Sequence, residues 1–162
     1  MRKSPMLVLS MVVSLAGPAA AATDSLGTFG DWQAYAYAEK GGKVCYAASS
    51  PKAAGKRKAF LTVTHRLSDK TRDVVQVASG FVYKKGSAVE VVVDGFNKFP
   101  LFTDGDGAWA ATPEADRALV GAMLKGKTLT VSGVPATGAA TTDSYSLNGF
   151  KPAKDAIDKA CK

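Results

Sequence analysis

The sequence predicts a mainly β protein, a compact antiparallel β-sandwich or barrel-like domain with two short helices at about 113–125 and 152–161. Three observations predict it. Apolar residues alternate with polar ones in many short runs. Gly, Pro, Asp and Lys clusters separate those runs at close spacing. Only two stretches change to a helical period.

Taken in order, Phe29 to Ala38 places Trp32, Ala34, Ala36 and Ala38 on one face and Gln33, Tyr35 and Tyr37 on the other. Glu39-Lys40-Gly41-Gly42 turns the chain, and Lys43 to Ser49 returns as a strand carrying Cys45. Residues 50–58 form a loop with Lys52, Lys56, Arg57 and Lys58. From Ala59 to Arg66, Phe60, Thr62 and Thr64 oppose Leu61, Val63 and His65. Asp73 to Ser79 is the next strand, and Phe81-Val82-Tyr83 reads as its extension past Gly80. Ala88 to Asp94 and Lys98 to Thr103 follow, then the Asp104-Gly105-Asp106-Gly107 turn into Trp109. Thr112 is placed to cap a helix that starts with Pro113 and Glu114, carries Leu119, Val120, Met123 and Leu124 as its apolar stripe, and stops at Gly126. Lys127 to Gly133 and Thr141 to Leu147 are strands, and Pro152 to Cys161 is the last helix.

Residues 1–22 have the three parts of a secretion signal: basic Arg2 and Lys3, an apolar run from Met6 to Leu15, and small residues ending at Ala22. The run is shorter than the ~20 residues a bilayer span needs. Cleavage before Thr23 leaves residues 23–162 as a single domain, not membrane-spanning, with the formal charge reduced from +7 by the two cations lost. The remaining basic bias is diffuse. It suits a lipid head group, a glycan or another anionic partner and excludes a nucleic-acid interface. Export leads to the periplasm, with outer-membrane association or secretion as further destinations.

The two cysteines, Cys45 and Cys161, have three readings: an internal disulfide, favoured in an oxidising compartment, two free thiols, or a covalent dimer. Lys52, Lys56, Arg57 and Lys58 are the candidate anionic contact, against the plainer reading of a solvated loop. His65 is the one histidine and shares a strand face with Leu61 and Val63, which is a structural setting. No Gly-x-Ser-x-Gly elbow accompanies it. Asp104 and Asp106 lack the third ligand and the spaced glutamate of a calcium loop. Trp32 and Trp109 read as core or half-buried residues before ligand-stacking ones. No cofactor and no catalytic residue is expected, so the chain is read as a non-enzyme. A hydrolase built on His65 or the Asp104/Asp106 pair, and a purely structural envelope role, are its rivals.

An ordered set of segments resembles the invasion-associated locus B family of exported alphaproteobacterial proteins. The set comprises Phe29-Gly30-Asp31-Trp32-Gln33, Cys45-Tyr46, Val89-Glu90-Val91, Phe102-Thr103-Asp104-Gly105-Asp106, Ala108-Trp109, Ser144-Tyr145-Ser146-Leu147 and Gly149-Phe150. The export signal, the compact β domain and the missing catalytic constellation together read as a non-enzymatic cell-envelope protein of this family that binds an envelope partner or anionic ligand. The alternative is a surface or secreted factor that promotes host-cell invasion by direct contact; the resemblance implies a family named for invasion, which is not the general task of its members. It supplies no catalytic residue. Many members have further cysteines in mid-chain. Here Phe102-Thr103-Asp104 stands in that region, which leaves Cys45 and Cys161 as the natural pair.

Overall fold

The computed structural model describes residues 22–162. The leader read at residues 1–22 therefore lies, but for Ala22, outside the described residues. Ten strands and two helices follow in the order β1 (Thr23–Phe29), β2 (Trp32–Glu39), β3 (Gly42–Ser49), β4 (Phe60–Arg66), β5 (Thr71–Ala78), β6 (Ala88–Val93), β7 (Asn97–Asp104), β8 (Gly107–Trp109), α1 (Pro113–Lys125), β9 (Thr128–Gly133), β10 (Thr141–Ser146) and α2 (Phe150–Ala160). All strands join one antiparallel sheet in the order β1-β2-β3-β4-β5-β8-β7-β6-β9-β10, curled into a half-barrel. Of the two architectures open from the sequence, the barrel-like one is found.

Alternation decides which side chains face inward. Trp32, Ala34 and Ala36 on β2, Cys45 and Ala47 on β3, and Leu61, Val63 and His65 on β4 are all buried. They continue through Val75 and Val77 to Val89, Val91, Leu129 and Val131 in one core. Both helices pack on this inner face, α1 on β5 and β7, α2 on β1, β2 and β3. Trp32 meets Phe150 of α2 with ring centroids 4.7 Å apart, and its indole N–H donates to the Ser146 carbonyl at 2.9 Å.

The α1 start is as expected: Thr112 Oγ1 accepts from the Ala115 N–H at 3.2 Å and Pro113 opens the helix. Its stop has a different cause from a left-handed cap. Gly126 is extended (φ −87°), and a Cβ there would meet Val93 Cγ1 at 2.5 Å, so close packing requires the glycine.

Three expectations are corrected and one strand is added. The run from Phe29 to Ala38 is not one strand: Gly30-Asp31 is a two-residue turn pairing Phe29 with Trp32. The strand before it, β1, has a bulge between Ser25 and Gly27 and little alternation, so periodicity could not find it. Tyr83 does not extend β5 but bridges to Pro135. Finally, α2 begins at Phe150, because Pro152 falls in the first turn, where the missing N–H has no helical partner to lose.

Cys45 and Cys161 form a disulfide, with Cα atoms 6.0 Å apart. It ties the end of α2 to β3. Arg72 and Lys43 donate to the Cys161 and Ala160 carbonyls at 2.6 and 3.3 Å, which satisfies the last carbonyls of the helix with cations.

Candidate functional site

The inner face is filled. Functional chemistry has to be sought on the outer face, where among the described residues no helix packs. The same alternation that buries Ala34 and Ala36 turns Tyr35 and Tyr37 outward on β2. Cross-strand register then assembles a surface that linear sequence does not display. Tyr35 pairs with Tyr46, Tyr46 with Thr64, and Thr64 with Val74, all on this face. Gln76 of β5 pairs with Trp109, and Trp109 with Phe102.

Tyr35 stacks on Tyr46 at 5.3 Å between centroids, and Tyr37 meets Tyr46 edge-on at 6.3 Å. Phe102 and Trp109 lie 6.0 Å apart. An open depression of about 630 Å³ runs between these groups, lined by Tyr37, Tyr46, Phe60, Thr62, Thr64, Arg66, Gln76 and Trp109 among others. Two smaller depressions adjoin it. One is bounded by Asp31, Gln33, Ser49 and Ser50, the other by Lys58, Phe81, Val82 and Asp106, and both share Phe60 with the first. Phe60 is 40 % exposed at that junction. Burial, with the neighbouring Tyr35 and Tyr37 adding to it, pushes the Tyr46 hydroxyl up from its ordinary value, so it stays a neutral donor.

The basic loop divides. Lys52, Lys56 and Lys58 are exposed. Arg57 is not a free cation. It pairs with the Asp143 carboxylate through both of its terminal nitrogens, donates to the Ser79 carbonyl at 2.7 Å, and lies 5.5 Å from the centre of the Phe81 ring. The hydrogen bond with Asp143 is the main reason its guanidinium is held above its usual range. Arg57 thus fastens the loop to β10, and the three lysines are what the loop can offer an anion.

His65 is buried on the inner face, as its alternation predicts. The Asp73 N–H donates to Nδ1 at 3.1 Å, so Nε2 carries the proton shared with Asp158 Oδ1 at 2.6 Å. His65, Asp73 and Asp158 stand close enough to offer a metal three ligand atoms. The Lys154 ammonium already takes the place of a cation there, 2.7 Å from Asp158 and 3.0 Å from Asp73. The donor set suits this ammonium, and the cluster is an anchor for α2. Burial opposes the charge on Asp158, but the hydrogen bonds from Lys154 and His65 outweigh it and hold the carboxyl below its usual range.

Asp104 and Gly107 close a two-residue hairpin turn through Gly105 (φ +58°) and Asp106. The carbonyl of Asp106 accepts from the Ser79 N–H at 3.0 Å, and that of Gly105 from the Tyr83 N–H at 2.9 Å. These bonds give the turn a structural task.

What fold and site define is a small disulfide-closed β half-barrel with a packed inner face and an aromatic outer one. The chain belongs to the invasion associated locus B (IalB) protein family, whose profile matches residues 32–158. Among solved structures it is similar to the crystal structure of invasion associated protein b from Bartonella henselae, at 20% identity and a TM-score of 0.59, over 83% of this chain and 96% of that one. At that identity the likeness shows the fold. Comparison with curated protein sequences finds no match.

Proposed function

We propose that this chain is an exported, non-enzymatic protein of the cell envelope that acts by binding, with the outer sheet face as its contact surface. The observation that carries the reading is the open aromatic depression around Tyr37, Tyr46, Phe60 and Trp109. Exposed contiguous aromatic surface marks an interaction site. Export is supported by the leader pattern of residues 1–22 and by the Cys45–Cys161 disulfide, which belongs to an oxidising compartment. No helix of the described residues is long and apolar enough to cross a membrane. Lys58 shares the depression beside Phe60, and with Lys52 and Lys56, exposed on the same loop, it supplies a contact for anionic envelope components.

The test is cosedimentation of the processed protein with isolated cell envelopes. Binding is expected, with loss on Tyr46→Ser and a weaker, salt-dependent loss when Lys52, Lys56 and Lys58 are all replaced by Glu. Binding that ignores every one of these changes overturns the outer-face reading.

A second reading is a surface or secreted factor that meets host cells directly. Its support is the likeness to the Bartonella henselae neighbour, an invasion associated protein. Protease digestion of intact cells separates the two. Cleavage without permeabilisation supports the second, and cleavage only after it supports a periplasmic envelope role.

A further inference from the structure

We propose that the outer-face depression is a binding site for an uncharged, flat glycan chain of the equatorially substituted, β-1,4-linked kind. The proposal rests on the outer-face reading above and names the ligand class.

The walls of the depression carry two kinds of group. Tyr37, Tyr46, Phe60 and Trp109 line it with aromatic rings, and Thr62, Thr64 and Gln76 line it with hydroxyls and an amide. An apolar peptide or helix would leave those polar groups without partners, at a cost per group of about 1–3 kcal/mol. A pyranose ring with equatorial substituents matches both kinds at once. Its axial C–H groups make the two faces apolar enough to lie on aromatic rings, and its rim carries hydroxyls for the polar groups.

Charge selects against an ionic ligand. Arg66, the cation of the depression, is paired with Glu39 at 2.9 Å and faces Asp69 at 3.7 Å. Arg66 is therefore neutralised where it lines the main depression, which complements a neutral ligand with many hydroxyls.

Shape selects a chain. The main depression is open, and Phe60 links it to both neighbours. Along β4 from Arg66 to Phe60 the strand rise of about 3.3 Å per residue gives a run of roughly 20 Å. A surface of that length, open at its ends, accepts successive sugar units where a closed pocket would accept one. The lining residues Phe60, Thr62, Thr64 and Arg66 form an extended row along β4, which fits the ribbon form of β-1,4-linked chains better than a coiled α-linked chain.

The experiment uses the full chain expressed for export, with its disulfide formed. Cellohexaose and chitohexaose are titrated by calorimetry and by tryptophan emission, with maltohexaose and hexagalacturonate as comparators. Because Trp32 is buried, an emission change reports from Trp109. At least one β-1,4-linked hexamer is expected to bind with Kd near or below ~1 mM. Its affinity should be unchanged between about 0.1 M and about 1 M salt, where the screening length falls from ~10 to ~3 Å. Tyr46→Ser should lower it about tenfold or more. Thr64→Trp, which adds bulk to the open face without removing a contact of the core, should do the same and covers the case in which Tyr46→Ser folds poorly.

Failure of both β-1,4-linked hexamers to bind overturns the proposal. So does a preference for hexagalacturonate, binding that salt abolishes, or binding that survives both substitutions. A dimer in sedimentation that Tyr46→Ser dissociates also overturns it, by making the face an interface between copies. If the hexamers fail while Tyr46→Ser still abolishes binding to isolated envelopes, the glycan is wrong and the envelope reading stands.

Discussion

Trp109 lies across Gly107: a Cβ added at Gly107 would meet the Trp109 Cη2 atom at 2.1 Å. The two residues are two apart on β8 and so share the outer face. The glycine lets the indole lie down on the sheet, and Phe102 holds it from the β7 side at 6.0 Å between centroids. A three-residue strand joins β5 to β7 and sets one wall of the depression at the same time.

Gly107→Ala should therefore act on the site before it acts on the fold. The methyl group drives the indole off the sheet, at about 1–3 kcal/mol for the local overpacking. Trp109 emission should shift, while the buried Trp32 keeps its own. Glycan affinity should fall with far-ultraviolet circular dichroism unchanged. Emission and affinity both equal to wild type would show that the ring pose does not depend on this glycine.

Legibility in the sequence followed the range of the interactions involved. Period-2 alternation revealed Trp32, Ala34 and Ala36 as one face and Leu61, Val63 and His65 as another, because burial in this sheet repeats every second residue. Thr112 and Pro113 marked α1 through contacts three residues apart. Gly30-Asp31 was missed as a turn because Phe29 and Trp32 continue the apolar pattern on either side of it. The outer face was legible only in pieces. Tyr35 and Tyr37 read as a polar side of β2, and nothing local says that register sets them beside Tyr46 and, further on, Trp109 beside Gln76. Arg57 counted as one of four loop cations, since its partner Asp143 is 86 positions away.

The disulfide should stabilise chiefly through the denatured chain. Its cysteines are 116 positions apart, so the bond removes much of the freedom of the unfolded ends. Cys45→Ala with Cys161→Ala should lower the free energy of unfolding by about 2–5 kcal/mol, read from urea midpoints. The fold should survive, because Phe150, Ala153 and Ile157 still bury α2. A loss under about 1 kcal/mol would mean that the unfolded chain already keeps those ends together.

Asp116 should give the opposite sign to a usual acidic residue. It is buried in the first turn of α1, and burial is the main cause that pushes its carboxyl above the ordinary range, against the hydrogen bond it accepts from the Val75 N–H at 2.9 Å. A carboxyl that holds its proton more tightly when folded costs stability above both pKa values, and that cost fades as the pH falls. Asp116→Asn keeps an acceptor for Val75 and removes the charge. It should be neutral or stabilising at pH near 7, and the advantage should vanish in acid. A large loss at neutral pH would assign the charge a role at the α1 N-terminus that outweighs its burial.

Lys154→Met tests the anchor of α2. The ammonium sits 2.7 Å from Asp158 and 3.0 Å from Asp73, and its side chain is only 9% exposed. Breaking a buried ion pair costs about 3–5 kcal/mol. The Asp158 side chain is 43% exposed, and water screens its share, so about 2 kcal/mol is expected here. The pH profile carries the sharper test. Burial disfavours the Asp158 charge, and Lys154 and His65 together overcome that by hydrogen bonding, so the folded carboxyl titrates below its unfolded value of about 3.9. Such a group adds stability above that unfolded value and loses it as the pH falls through the folded one. Without Lys154 the larger of the two compensating bonds is gone, while the burial remains. The folded and unfolded values then draw together, and the acid-dependent part of the stability shrinks. Urea midpoints measured from neutral pH to about pH 2 should fall less steeply for Lys154→Met than for wild type. Two parallel curves would show that Asp158 draws its charge stabilisation from elsewhere, with Lys154 acting through packing alone.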